Sequence, residues 1–127
     1  MNSTIEFLEK KLPEVKEDYS EPIHSVFGYE NILDKVKEIV KNSKKSVYIE
    51  IYEEDFKHIQ KEIEDAYNRE VNVKIVAYGN IKAHCGLMYY HEVLNDAQEN
   101  SRLISVLGDV QECLFGYVEK NAVWSKN

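Results

Sequence analysis

The arrangement that most limits what this chain can fold into is a pair of β-branched runs on either side of a stretch with helical spacing. The runs are Ser46-Val-Tyr-Ile-Glu-Ile-Tyr52 and Val71-Asn-Val-Lys-Ile-Val-Ala-Tyr78. In the first, Val47, Ile49 and Ile51 fall on one face of a strand and Tyr48, Glu50 and Tyr52 on the other. Between the runs, Phe56, Ile59, Ile63 and Ala66 recur at the steps of a buried helical stripe. Glu53, Glu54 and Asp55 before them suit a helix's first turn, where acidic groups complement the macrodipole. Strand, helix and strand in that order make a βαβ unit, nearly always a right-handed crossover between parallel strands. The fold class is therefore α/β.

The flanking sequence fits that unit. Gly28-Tyr-Glu-Asn31 precedes a helix in which Ile32, Leu33, Val36, Ile39 and Val40 recur at three- and four-residue steps, ending at Asn42-Ser43. Near the C-terminus, Arg102–Leu107, Cys113–Val118 and Ala122–Ser125 are short apolar segments. Gly108-Asp109 and Lys120-Asn121 separate them as turn-forming pairs, so they predict a succession of strands closing the sheet. Residues 79–101 are less patterned, with a strand or loop around Leu87–Tyr90 and a polar, helix-like stretch over His91–Asn100.

At 127 residues the chain suits one domain with one core. A net charge of −7 opposes contact with a phosphate backbone, because nucleic-acid affinity comes chiefly from Lys and Arg displacing counterions. No apolar run approaches a membrane span, and charges interrupt the N-terminus where a signal peptide needs an apolar core. The sequence reads as cytoplasmic. Cys85 and Cys113 form no disulfide framework and are expected as reduced thiols.

The C-terminal strands carry a further pattern. Arg102-Leu-Ile-Ser-Val-Leu-Gly-Asp109, then Leu114-Phe-Gly116 and Ala122-Val-Trp-Ser-Lys-Asn127, follow the H-x-K-x4-D-x6-G spacing of the phospholipase D superfamily. Asp109 and Gly116 stand at the aspartate and glycine. Arg102 replaces the histidine and Ile104 the lysine. Together with Phe27-Gly-Tyr-Glu-Asn-Ile-Leu33 and Arg69-Glu-Val-Asn-Val73, the order resembles the phospholipase D-like regulatory domain of TrmB-like transcriptional regulators. The resemblance implies a phospholipase D-like mixed sheet flanked by helices over residues 23–127, after a short N-terminal helical segment and linker over residues 1–22. In that segment Ile5, Leu8, Leu12 and Val15 keep an a/d spacing, as in the end of a linking and dimerising helix or in an ordinary amphipathic helix. One departure is Glu70, where the family usually has a glycine suited to a left-handed turn; keeping the turn costs on the order of 1 kcal/mol.

The resemblance also bears on chemistry. Phosphodiester cleavage on this fold uses a histidine from each half of a two-fold site, and a guanidinium can neither attack phosphorus nor shuttle the proton. No catalytic residue and no cofactor is expected. Arg102 is a planar fork suited to carboxylate, phosphate or vicinal hydroxyls. It would serve as an effector anchor at the old active site, or as a structural partner of Asp109 or of a dimer mate. Tyr48, Tyr52, Tyr78, Tyr89 and Tyr90 fall on or near strand ends, where open α/β sheets place their ligand crevice, and aromatic faces with hydroxyl tips suit sugars. The candidate effector site is Arg102, Glu50, Tyr52, Tyr78, His84 and Tyr90. Asp109 and Gly116 are expected to be structural turn residues, Gly116 by allowing close backbone approach. His84, Cys85, His91 and Cys113 match no zinc-site spacing, so no metal is expected; His24 and His58 are expected at the surface.

These expectations describe a catalytically inactive, homodimeric regulatory domain that senses a small effector, with a sugar as the suited class. DNA contact would come only through a winged-helix domain outside residues 1–127. The alternatives are a dimerisation module without a ligand, or a phosphodiester hydrolase using His84 or His91.

Overall fold

A computed structural model describes residues 23–91, 102–118 and 120–127. The N-terminal helical segment and linker expected over residues 1–22, and the polar stretch expected beyond His91, lie outside the described residues.

The elements run β1 (His24–Phe27), α1 (Tyr29–Asn42), β2 (Ser46–Tyr52), α2 (Glu53–Phe56), α3 (Gln60–Asn68), β3 (Asn72–Tyr78), β4 (Leu87–His91), β5 (Leu103–Gly108), β6 (Glu112–Tyr117) and β7 (Asn121–Lys126). The strands form one mixed sheet in the order β1-β7-β6-β5-β2-β3-β4. β2 and β3 are parallel, as the βαβ pattern predicts, and β4 pairs with β3 in the same direction. β5, β6 and β7 form an antiparallel meander that joins the parallel part through β5 and β2.

Register explains where the core lies. Ile75, Ile49, Val106, Leu114 and Trp124 stand opposite one another across five strands, on the face that packs with Ile32, Val36, Ile39 and Ile63. The next row holds Val76, Glu50, Ser105, Phe115 and Val123 on the other face. β2 lies inside the sheet between β3 and β5, which is why all its residues except the half-buried Tyr48 are buried.

The helices follow their apolar spacing, with one correction. The stripe Phe56, Ile59, Ile63 and Ala66 is fully buried, as expected, but it spans two helices. Ile59 takes φ −122° between them, which ends the α-helical path after one turn and starts it again at Gln60. At the end of α1, Arg69 donates to the carbonyls of Val40, Lys41 and Ser43 at 3.0–3.3 Å. It thereby satisfies acceptors that have no partner within the helix. Glu70 keeps the left-handed turn with φ +69°. His91 is the last residue of β4, not the start of a helix. Strand β1, at one edge, carries no sequence signal of its own and exists by pairing with β7.

Gly116 is a correction of another kind. It lies inside β6, opposite Ala122, and not in a turn. A Cβ there would collide with the Asn121 carbonyl and the Ala122 backbone, so glycine marks close approach of two strands.

Candidate functional site

Side chains of unlike chemistry gather where β2 and β3 end and β5 begins. The short helix α2 leaves β2 directly, so Asp55 is carried beneath the chain entering β5. Its carboxylate is fully buried. Arg102 meets it with both arms of the guanidinium, Nε to Oδ2 at 3.0 Å and Nη2 to Oδ1 at 3.1 Å. The hydroxyl of Tyr29, at the start of α1, donates to Oδ1 at 2.6 Å. Burial, and then the adjoining Asp55 carboxylate, push the Tyr29 phenol up to about 12, so it remains a donor at physiological pH.

The Arg102 side chain is 19% exposed. The carboxylate it engages is Asp55, not Asp109. The sequence places Asp55 in a helical first turn, where it is found, but nothing local marks it as the buried member of the three acids. One helical turn aimed back under the sheet puts the third of them inside.

Asp109 does accept backbone N–H groups, but from across the fold. Its carboxylate takes Lys44 N at 2.9 Å and Lys45 N at 2.7 Å, in the loop from α1 to β2, and Ser46 N at 3.0 Å, at the first residue of β2. Burial works to raise its pKa, yet the three amides outweigh it and hold the carboxyl below the usual value. Asp109 is a turn residue with φ +55°, and it fastens the meander to the βαβ unit.

On the face opposite the helices, Glu50 is fully buried and receives the hydroxyls of Ser105 at 3.2 Å and Tyr78 at 3.3 Å. Burial raises its pKa against the lowering effect of those two bonds. Tyr78 is itself pushed up to about 12, first by burial and then by the Glu50 charge. Its ring stacks on Tyr52 at 4.8 Å and on His91 at 5.2 Å. Tyr52, Tyr78 and His91 are register partners at the ends of three adjacent parallel strands, so the stack follows from strand pairing.

Of the six expected site residues, Glu50, Tyr52 and Tyr78 come together. The Arg102 charge is felt at the Tyr52 hydroxyl, where it opposes the rise caused by burial and Glu54. His84 is exposed in the loop before β4, and Tyr90 donates its hydroxyl to the Ile81 carbonyl at 3.0 Å. Asp55, Tyr29, Ser105 and His91 were absent from the expected set. The alternation of β3 with β2 could have suggested a carboxylate beside Tyr78, but nothing local points to Ser105.

Beside this centre, an open groove of about 800 Å³ lies at the C-terminal ends of β2 and β3, between α2–α3 and the loop after β3. Glu53, Glu54, Lys57, Gln60, Asn80 and Lys82 supply much of its lining. Glu53 closes its floor by accepting the Asn80 N–H at 3.0 Å, which brings its carboxylate to where a side chain on Gly79 would stand. Glu53, Glu54 and Phe56 face the groove, and Asp55 of the same helical turn holds Arg102. Among the described residues no cluster of three or more His, Cys, Asp or Glu could hold a metal ion, and no helix is long and apolar enough to cross a membrane.

Residues 23–122 match the family model described as the N-terminal subdomain of the effector-binding domain of the transcriptional regulator TrmB. A relative from Bacillus subtilis strain 168, the uncharacterized protein YrhO, is 33% identical over 111 residues, which are 83% of this chain and 40% of YrhO. The chain thus spans less than half the length of that curated relative. Among solved structures, TrmBL2, described as an archaeal chromatin protein with a novel mode of DNA binding, superposes with a TM-score of 0.62 at 19% identity. The match covers 98% of this chain and 53% of that one. The phospholipase D family member Nuc from Salmonella typhimurium superposes with a TM-score of 0.55 at 17% identity, over 84% of this chain and 83% of that one.

Proposed function

The chain belongs to the family of the N-terminal subdomain of the TrmB effector-binding domain, a regulatory domain on a phospholipase D-like fold, and from that premise we propose that it is a catalytically silent, homodimeric sensor of a small effector within a longer cytoplasmic regulator. The observation that carries this reading is Arg102 clamped by buried Asp55, with fully buried Ile104 two residues on. A guanidinium held by two hydrogen bonds cannot act as nucleophile or general base, and an isoleucine cannot hold phosphate. The geometry is one of positioning.

The effector we propose is a polyhydroxyl molecule such as a sugar, held in the groove between α2–α3 and the loop after β3. Carboxylates, amides and ammonium groups line that groove, which supplies both acceptors and donors for hydroxyls. A ligand gripping Glu54, Lys57 and Gln60 would bias the pose of α2, and Asp55 would pass that bias to Arg102 and the start of β5. Coupling of this kind needs only that the ligand favour one pose over the other. The change would reach a DNA-binding domain outside residues 1–127 through the segment that precedes residue 23.

Thermal unfolding against mono- and disaccharides, sugar phosphates and nucleotides tests the proposal. A ligand at roughly 100 times its Kd adds about 2.7 kcal/mol. A shift abolished by Gln60→Ala and retained in a distant variant such as Lys126→Ala supports the sensor. A second reading, a dimerisation module without ligand, is favoured by the same clamp, because Asp55 already engages the fork that an effector would need. No shift from any compound selects it.

A further inference from the structure

The two edges of the sheet differ in a way that bears on assembly. β1 is four residues long, and its one large exposed apolar side chain is Phe27. Among the described residues β4 is the outermost strand on the other side, and it presents Leu87, Tyr89 and Tyr90 at 53%, 50% and 60% exposure. These side chains cover both faces, since Leu87 and Tyr89 project on one and Tyr90 on the other. Its sequence, Leu-Met-Tyr-Tyr-His, holds no lysine, no acid and no proline, which are the residues that natural edge strands use to refuse partners. A β-strand at a sheet edge turns one row of N–H and C=O groups outward, toward water or toward the strand of another chain, for which it is a ready template.

We infer that β4 is the seam through which two copies of this chain pair, edge to edge and antiparallel, as a continuous sheet across a two-fold axis. The inference rests on the homodimer reading above and adds the surface to it. The strand is self-complementary: a two-fold axis at Tyr89 sets Tyr89 against its own copy, Met88 against Tyr90 and Leu87 against His91. Aromatic and apolar residues thus oppose one another and no like charges meet. Charge also restricts the alternatives. The chain carries −7, so two copies repel overall, and β4 is a segment without Lys, Arg, Asp or Glu. The seam would extend the row Tyr52, Tyr78 and His91, whose stack ends at β4. Glu50, on β2, would then be separated from the partner protomer by β3 and β4, and Arg102, at the entry to β5, would lie one strand further away.

Sedimentation velocity on the whole chain, from about 1 μM to about 1 mM, spans the range from useful to marginal affinity. Tyr89→Lys and Leu87→Glu place charges on the strand at sites half open to water, and circular dichroism with thermal unfolding confirms that each remains folded. Phe27→Lys puts the same kind of charge on the opposite edge. The expected result is a concentration-dependent dimer that Tyr89→Lys and Leu87→Glu each weaken by tenfold or more, about 1.4 kcal/mol, while Phe27→Lys changes it less than threefold. A wild-type dimer unaffected by both β4 variants, or weakened as much by Phe27→Lys, overturns the seam and leaves the homodimer reading in place. A wild-type chain that stays monomeric throughout overturns both.

Discussion

Removing one partner of the Arg102–Asp55 pair should expose its worth, and the asymmetry between the two partners makes the test discriminating. Arg102→Ala leaves the Asp55 carboxylate fully buried and facing only the Tyr29 hydroxyl among its described partners. Orphaning a buried charge in this way costs roughly 3–5 kcal/mol, and the 19% exposure of Arg102 places the cost near the lower end, about 3 kcal/mol. With an unfolding entropy of about 2.1 cal/mol/K per residue, 127 residues give roughly 0.27 kcal/mol/K, so the melting temperature should fall by about 11 °C. Asp55→Ala leaves instead a guanidinium that can turn toward water, and should cost less, about 1–2 kcal/mol. The double variant should be more stable than the sum of the singles by about 2 kcal/mol, the coupling expected of groups in direct contact. Urea and thermal unfolding of all four proteins provide the cycle. Additivity within about 0.5 kcal/mol, or a loss below about 3 °C for Arg102→Ala, would refute the clamp as a source of stability.

Two further outcomes follow from the carboxylates. Glu50 has a raised pKa in the folded state, so folding is favoured while it is protonated, and stability falls as pH climbs from the ordinary carboxylate value through the raised one. Glu50→Gln should flatten that fall and leave the variant more stable than the parent at pH 7 and about equal near pH 4; identical pH profiles of urea midpoint would contradict it. Asp109 is the opposite case. Its lowered pKa contributes stability present above the ordinary carboxylate value and lost as pH drops toward the folded one. Asp109→Ala frees three amides at the head of β2 and should cost about 1–3 kcal/mol at pH 7 but less as pH falls through the lowered folded value, with hydrogen exchange at Lys45 and Ser46 accelerated. Unchanged protection of those two amides would count against the anchor.

The family resemblance and much of the fold are legible in the chain, for a reason visible in particular residues. Val47, Ile49 and Ile51, and again Ile32, Val36 and Ile39, repeat at the period of the element they form, and a strand-helix-strand order admits one dominant connection. The meander from Leu103 to Lys126 is legible because Gly108-Asp109 and Lys120-Asn121 interrupt apolar runs where turns occur. The site is less legible. Three of its expected members, Glu50, Tyr52 and Tyr78, converge because strand neighbours in a βαβ unit bring their C-terminal ends together. His84 and Tyr90 belong to a loop and an edge whose positions no periodicity encodes.

What the sequence determined by itself is therefore periodic and local: the α/β class, the parallel pair, the strand succession, and the presence of Arg102 and Ile104 at the positions where the pattern it resembles has histidine and lysine. Tertiary structure alone decided the partners. Asp55 reaches Arg102 across 47 positions, and Asp109 reaches the amides of residues 44–46 across 63 to 65. Glu50 alternates with apolar neighbours as a solvent-facing residue would, yet it is buried because β2 ended up inside the sheet between β3 and β5. The order of strands is set by the summed burial of all its strands and helices against the entropy of closing the chain, a quantity that no short window of residues contains.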